Sequence, residues 1–292
     1  MSAPVFLHYD RAALDLEYNN RGKVPSFPDY FSRYAAESER TRRELPGRLD
    51  LRYGPAPGET LDVFLPPNAR PRPAPVQVFV HGGYWMALDK SDFSFVARAF
   101  HPAGAVVVVI NYALIPAVDM DELVRQCRAA VGWIHRNIGA FGGDPGRIFV
   151  SGHSAGGHLV AMLMSGDGPA SVGGPADVIK GGTGISGLYD LEPIRLCYLN
   201  DTLRLTPEVA RRNSPVHLAP VRSGPLLLPV GALEGPEYHR QSEDLAAAWR
   251  QRGLTARVLD LADQDHFSIV AQLGDPRSDV AGVIRGQMGL GH

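Results

Sequence analysis

Cysteine is nearly missing: Cys127 and Cys197 are the only two in 292 residues. So few thiols exclude a disulfide-framed secreted scaffold, and the expectation is a pair of reduced thiols in a cytoplasmic protein. No charge of one sign dominates either. Lys and Arg number 29 and Asp and Glu 31, mixed along the chain to a formal net charge of −2. No basic stripe or tail is left for nucleic acid or an anionic membrane. Long apolar runs are lacking, since the longest aliphatic run is "AVVVVI" at 105–110, far too short to cross a bilayer. The opening "MSAPVFLHYDRAALDLEYNN" has neither the basic region nor the long apolar region of a signal peptide, in keeping with a cytoplasmic expectation. Internal repeats and low-complexity segments are absent from the pattern, and no His or Cys spacing suggests a metal. What the chain does have is 45% hydrophobic residues, enough for one substantial core with a small appended cap.

Residues 1–45 stand apart, with Tyr9, Tyr18, Phe27, Tyr30, Phe31 and Tyr34 and the charged run "ESERTRRE". They read as a loop plus one or two helices lying over the rest, not as a separate domain. From residue 49 the pattern becomes regular. "LDLRYG" and "LDVFLP" alternate apolar and polar residues around "PAPGET", a hairpin-like antiparallel pair. A proline-rich surface loop follows at 66–75. Short apolar runs at 76–80, 105–110, 147–151, 178–186, 225–230 and 256–261 then suit strands buried on both faces. Helical patterns at 91–100, 121–138, 155–164, 238–252 and 277–288 separate them. Such alternation predicts an α/β protein, residues 1–292 as one domain, with a mainly parallel sheet flanked by helices. Residues 188–220 exceed a normal connection and are expected to join residues 1–45 in a small cap.

The stretch "FVSGHSAGGHLVAML" (149–163) places a serine between glycines where a strand should turn into a helix. Gly152-His153-Ser154-Ala155-Gly156 fits the nucleophile elbow G-x-S-x-G. The following helix would offer unpaired N–H groups and a positive dipole end to a developing oxyanion, with the Ala155 N–H as donor. A serine needs a base, and in this arrangement the chain order is Ser, acid, His. Of the histidines after residue 230, His239 opens a helical stretch and His292 ends the chain. His266, in "LDLADQDHFSIV", follows the last expected strand and is the candidate base. His153 and His158 flank the elbow and are read as packing residues pointing away from Ser154. Glu234, just past the strand at 225–230, is favoured as the acid, and Glu237, Asp260, Asp263 and Asp265 stay open as alternatives. The loop "FVHGGYWMALDK" (79–90) resembles the HGGG-type loop that supplies further oxyanion donors. Gly83 and Tyr84, with Gly82 close behind, are the candidates, and His81 is expected to anchor the loop. "GTGISG" (182–187) matches G-x-G-x-x-G, but Pro193 soon after opposes the helix that a dinucleotide site needs.

"HGGYW", "GHSAGGHL", "VGALEGPEYHRQS" and the early "LEYNNR" together resemble the α/β-hydrolase arylformamidases, or kynurenine formamidases, and their bacterial relatives. The likeness runs from about residue 15 to 270. It implies an α/β-hydrolase fold, no cofactor, and a triad on Ser154, Glu234 and His266, with Glu234 standing where the family commonly has Asp. The expected substrate is a small-acyl aryl amide or ester, N-formylkynurenine first, held by Tyr84, Trp85, Tyr189 and Phe267, with Tyr198 adding to an aromatic wall. A carboxylesterase for short-chain esters is the alternative, and a catalytically inactive hydrolase-fold ligand-binding protein is the alternative from another class. The expected partner is a small molecule, without nucleic acid or membrane, in a monomer or homodimer.

Overall fold

The computed structural model describes residues 3–67, 73–221 and 224–291. Part of the proline-rich connection at 66–75 and all of His292 lie outside the described residues. Eight strands form one sheet, in chain order β1 (Gly47–Arg52), β2 (Thr60–Phe64), β3 (Ala74–Val80), β4 (Val106–Ile110), β5 (Gly143–His153), β6 (Ile179–Ile185), β7 (Leu226–Gly231) and β8 (Ala256–Leu261). Across the sheet the order is β1-β2-β4-β3-β5-β6-β7-β8. β1 pairs antiparallel with β2, and β2 with β4, while every other pair is parallel. This is the α/β-hydrolase sheet, and its strands match the apolar runs to within a residue or two, except that β5 starts four residues earlier than expected.

The apolar runs read as continuous because the sheet is covered on both faces. Val76, Val78, Val80, Val106, Val108 and Ile110 feed one core. Phe79, Val107, Val109 and Phe149, at the intervening positions, feed the other. Branched side chains at these positions pack well on a pleated surface, and each contributes roughly 1.5–3 kcal/mol on burial. The helix Met120–Asn137 covers the first face with Leu123, Cys127, Ala130, Val131 and Ile134, a 3–4 residue spacing. Asp119 caps it by accepting from the Glu122 N–H at 2.9 Å.

Two departures from the sequence pattern matter near the site. The helix expected at 91–100 is a 3₁₀ turn, Lys90–Val96, followed by a short α-helix, Ala97–Phe100. A reciprocal box between Asp89 and Asp92 sets its start, so local capping overrides the longer helical period. The N-terminal segment holds three helices rather than one or two: Arg11–Glu17, Asn20–Lys23 and Phe27–Glu44. Residues 188–220 carry only short helical pieces, Glu192–Arg195, Asn200–Leu203, Pro207–Arg212 and Pro215–His217.

Candidate active site

β5 ends at His153, and the helix Ala155–Leu163 begins one residue past Ser154. Ser154 itself sits at φ 56°, ψ −119°, a conformation that a serine holds only when its surroundings impose it. The flanking glycines are required by contact. A Cβ on Gly156 would lie 2.0 Å from the Val80 carbonyl oxygen, and one on Gly152 would lie 2.4 Å from the Gly156 oxygen. Strand and helix therefore cross at a distance that no side chain allows.

Three residues from three separate loops meet at this turn. The Ser154 Oγ lies 3.0 Å from His266 Nε2, and His266 Nδ1 lies 2.7 Å from Glu234 Oε2. A carboxylate only accepts, so the proton is on Nδ1, and Nε2 is left to accept from the serine hydroxyl. The second Glu234 oxygen accepts from the Ser186 hydroxyl and, at 2.8 Å, from the Gly231 N–H. The Glu234 and His266 side chains are only 1% and 7% exposed, which keeps their hydrogen bonds out of competition with water.

The other candidate acids have different partners. Asp265 accepts from the Phe267 and Ser268 N–H groups at the start of the helix Ser268–Ala271. Asp260 faces His239 at 3.3 Å. Glu237 accepts from the Tyr18 hydroxyl and pairs with Arg240. Asp263 stands in a left-handed turn at φ 59°.

The loop after β3 is bent sharply, with Gly83, Tyr84, Trp85 and Leu88 all at positive φ. At Gly83, φ +109°, an added Cβ would lie 2.1 Å from the Ala87 oxygen. The Gly83 carbonyl accepts from the Met86 and Ala87 N–H groups, closing the turn. The N–H groups of Gly83, Tyr84 and Ala155 donate to no backbone carbonyl among the described residues. His81 is fully buried between the Phe93 and Tyr112 rings, with Nε2 3.1 Å from Asn111 Oδ1. Burial holds its imidazole below the usual histidine range.

A cavity of about 250 Å³ opens onto Ser154 and His266. Gly83, Tyr84, Tyr198 and Phe267 line it, as the sequence reading expects of the last three. Trp85 and Tyr189 do not, and both expectations are corrected. Trp85 is fully buried and donates its indole N–H to His158 Nδ1 at 3.1 Å. Tyr189 is fully buried and donates to the Gly184 carbonyl at 2.9 Å. In both cases a polar tip needed a buried partner, and that partner lay beneath the elbow. His153 is corrected in the opposite sense. It lines the cavity, its ring centroid 4.6 Å from that of His266, and its Nε2 has no hydrogen-bond partner. Burial and the neighbouring His266 hold it well below the usual histidine range.

Sequence reasoning missed the wall given by the N-terminal segment. Asn20, Phe31 and Tyr34 line the cavity together with Met86, Leu88 and Phe93. Asn20 donates to the Tyr238 hydroxyl at 2.6 Å and the Tyr84 hydroxyl at 3.1 Å, while Tyr84 donates to the Tyr18 carbonyl at 2.6 Å. The aromatic density of residues 1–45 was the available signal, but it carried no address. Ser186 was missed because it lies in "GTGISG", weighed only as a dinucleotide motif. No cluster of His, Cys, Asp and Glu among the described residues could hold a metal ion, and none of their helices is long and apolar enough to cross a membrane.

Comparison with known proteins places the chain among hydrolases. The BD-FAE family model matches residues 61–170, which span the HGG loop and the elbow. Kynurenine formamidase of Danio rerio is 38% identical over 82% of this chain and 80% of its own length. The esterase LipQ of Mycobacterium tuberculosis is 27% identical over 90% of this chain and 66% of its own. A crystal structure from Silicibacter sp. TM1040, described as a candidate thioesterase, superposes with a TM-score of 0.82 at 34% identity, covering 93% of this chain and 98% of that one. The chain is a hydrolase, and it belongs to the kynurenine formamidase family of the α/β hydrolases.

Proposed function

We propose that the chain hydrolyses small-acyl aryl amides and esters through Ser154, His266 and Glu234, with N-formylkynurenine the first candidate. The observation that carries this reading is the unbroken relay from Glu234 through His266 to Ser154 at the floor of the cavity. His266 takes the serine proton as Ser154 attacks the carbonyl carbon. The N–H groups of Gly83, Tyr84 and Ala155, with Gly82 behind them, hold the oxyanion. His266 then protonates the leaving amine or alcohol, and water releases the acid by the same steps in reverse. Glu234 keeps the imidazole in the tautomer that accepts from serine. Because an aryl amine leaves more readily than an alkyl amine, this apparatus serves formanilides as well as esters. A cavity of about 250 Å³ favours a small substrate, being below the roughly 300–1,000 Å³ common for ligand sites.

A short-chain carboxylesterase is the second reading, favoured by the esterase among the relatives. We also propose a single catalytic domain capped by residues 1–45 and 188–220. We place it in the cytoplasm, since both cysteines are buried and unpaired. Sedimentation would separate the monomer from the homodimer. The test of function is a panel of formanilides, acetanilides and aryl acetates, run beside fluorophosphonate labelling of wild type and Ser154→Ala. We expect labelling of wild type alone and turnover of formanilides and short aryl esters. A labelled protein that turns over only the esters would hand the function to the second reading, and an unlabelled wild type would favour a binding protein.

A further inference from the structure

Among the described residues, Arg21 is the only Lys or Arg that lines the cavity, and no Asp or Glu lines it. The cations on either side of Arg21 are matched: Arg11 pairs with Asp15, and Lys23 with Glu17. Arg21 has no acidic partner among the described residues. Its guanidinium lies 5.4 Å from the Phe27 ring centroid and 5.6 Å from that of Phe31, which itself lines the cavity. Stacking of this kind holds a guanidinium in place while leaving its N–H edge available. The backbone beneath it is fixed as well. Asn19 accepts from the Gly22 N–H at 3.0 Å, and Asn20 is buried and tied to Tyr84 and Tyr238.

We propose that Arg21 is a carboxylate-recognition residue at the mouth of the cavity, selecting substrates whose leaving group bears an anionic group. The proposal rests on the small-acyl aryl reading above, and it adds to that reading the charge of the substrate. A short acyl group has no room for a carboxylate, so the anion must ride on the leaving group. The described lining offers no carboxylate to pair a substrate cation. A planar carboxylate matches the guanidinium fork and would supply the acidic partner that the chain withholds. Beside the polar Asn19 and Asn20, the lining includes the aromatic and aliphatic side chains of Phe31, Phe267, Tyr198 and Leu199. Arg21 itself is exposed at this mouth, so its fork can be reached from solvent while the aromatic lining accepts an aryl ring beside it.

The test uses matched pairs of aryl acetates whose ring carries either a propanoate or the neutral propanamide, in ortho and para series. The two members of a pair differ in charge but hardly in leaving-group electronics. In wild type we expect kcat/KM for the carboxylate member to exceed that for its amide by roughly two- to fivefold in at least one series, as suits an ion pair at an exposed guanidinium. High salt should shrink the ratio. Arg21→Gln should bring it to near one, and Arg21→Lys should restore only part of it, because an ammonium keeps the charge but loses the fork. Equal rates for the two members in wild type, in both series, would overturn the subsite and leave the hydrolase reading standing. So would a preference that survives in Arg21→Gln. Hydrolysis of neither member would overturn the aryl-acyl reading and the subsite together.

Discussion

At the scale of single residues, the relay is tested by removing what each member supplies. His266→Ala should lose on the order of 10⁶-fold in turnover, and the double variant with Ser154→Ala should be little worse, because the two act as a unit. Glu234→Gln should stay folded and lose roughly 10⁴-fold, since an amide no longer fixes the tautomer of His266. Asp265→Asn should lose far less, because Asp265 caps a turn and touches neither His266 nitrogen. Steady-state kinetics on one aryl ester decides this, and a near-dead Asp265→Asn beside an active Glu234→Gln would move the acid. A second residue sets a pH limit on the fold. His158 is fully buried beneath the elbow, accepting from the Trp85 indole at Nδ1 and donating from Nε2 to the Asn213 carbonyl at 2.8 Å. Protonation at Nδ1 would set two N–H groups against each other, and burial pushes the pKa down to about 4. The unfolded chain takes up this proton near pH 6.5 and the folded chain does not. The contribution to stability is therefore complete above about pH 6.5 and declines as pH falls toward 4, by about 3 kcal/mol over that window. His81 and His153 are depressed in the same direction. Thermal melts should show Tm falling from pH 7 to pH 5, and falling less in His158→Gln. An equal fall in the variant would remove His158 from the account.

At the scale of elements, the loop after β3 is the one whose shape is held against its own preference. Of its four residues at positive φ, the three that are not glycine, Tyr84, Trp85 and Leu88, carry strain of roughly 1–3 kcal/mol each. Buried polar contacts repay it: Tyr84 is tied to Asn20, Tyr18 and Tyr238, and His81 to Asn111 and Tyr112. Gly83→Ala puts a methyl 2.1 Å from the Ala87 oxygen, so the loop must open. The expected result is a fall in kcat of roughly 10²–10³-fold, the loss typical of one oxyanion donor, with a lowered Tm. A Gly83→Ala enzyme with near wild-type kcat would show that the loop does not hold the oxyanion.

At the scale of the whole molecule, the cavity is closed by parts of the chain far apart in sequence. Asn20 and Phe31 come from the N-terminal helices, Leu88 and Phe93 from the loop after β3, Tyr198 and Leu199 from the 188–220 excursion, and Phe267 follows His266 directly. The walls are set by packing rather than by one lid, so acyl length should be limited steeply. Each added methylene gains about 0.8 kcal/mol of burial until crowding overtakes it, and kcat/KM should fall beyond about four acyl carbons. A series of nitrophenyl esters from acetate to decanoate measures this, and a rate that climbs toward decanoate would show a different pocket.

The sequence by itself determined the run of strands and the elbow, and it put forward Ser154, Glu234 and His266 in that chain order. Each follows from local pattern: branched residues in short runs, glycines where a Cβ would strike backbone, and a serine between them. It favoured Glu234 because position after a strand is also local. Only the tertiary structure decided which acid reaches His266, since Glu234 and Asp265 differ in what they face and not in residue chemistry. Only the tertiary structure moved Trp85 and Tyr189 beneath the elbow and brought His153, Phe31 and Arg21 to the cavity. An aromatic or a histidine carries the same pattern whether it packs under the turn or over it. The choice is made by which buried polar partner it can reach once strands and helices from both ends of the chain have met.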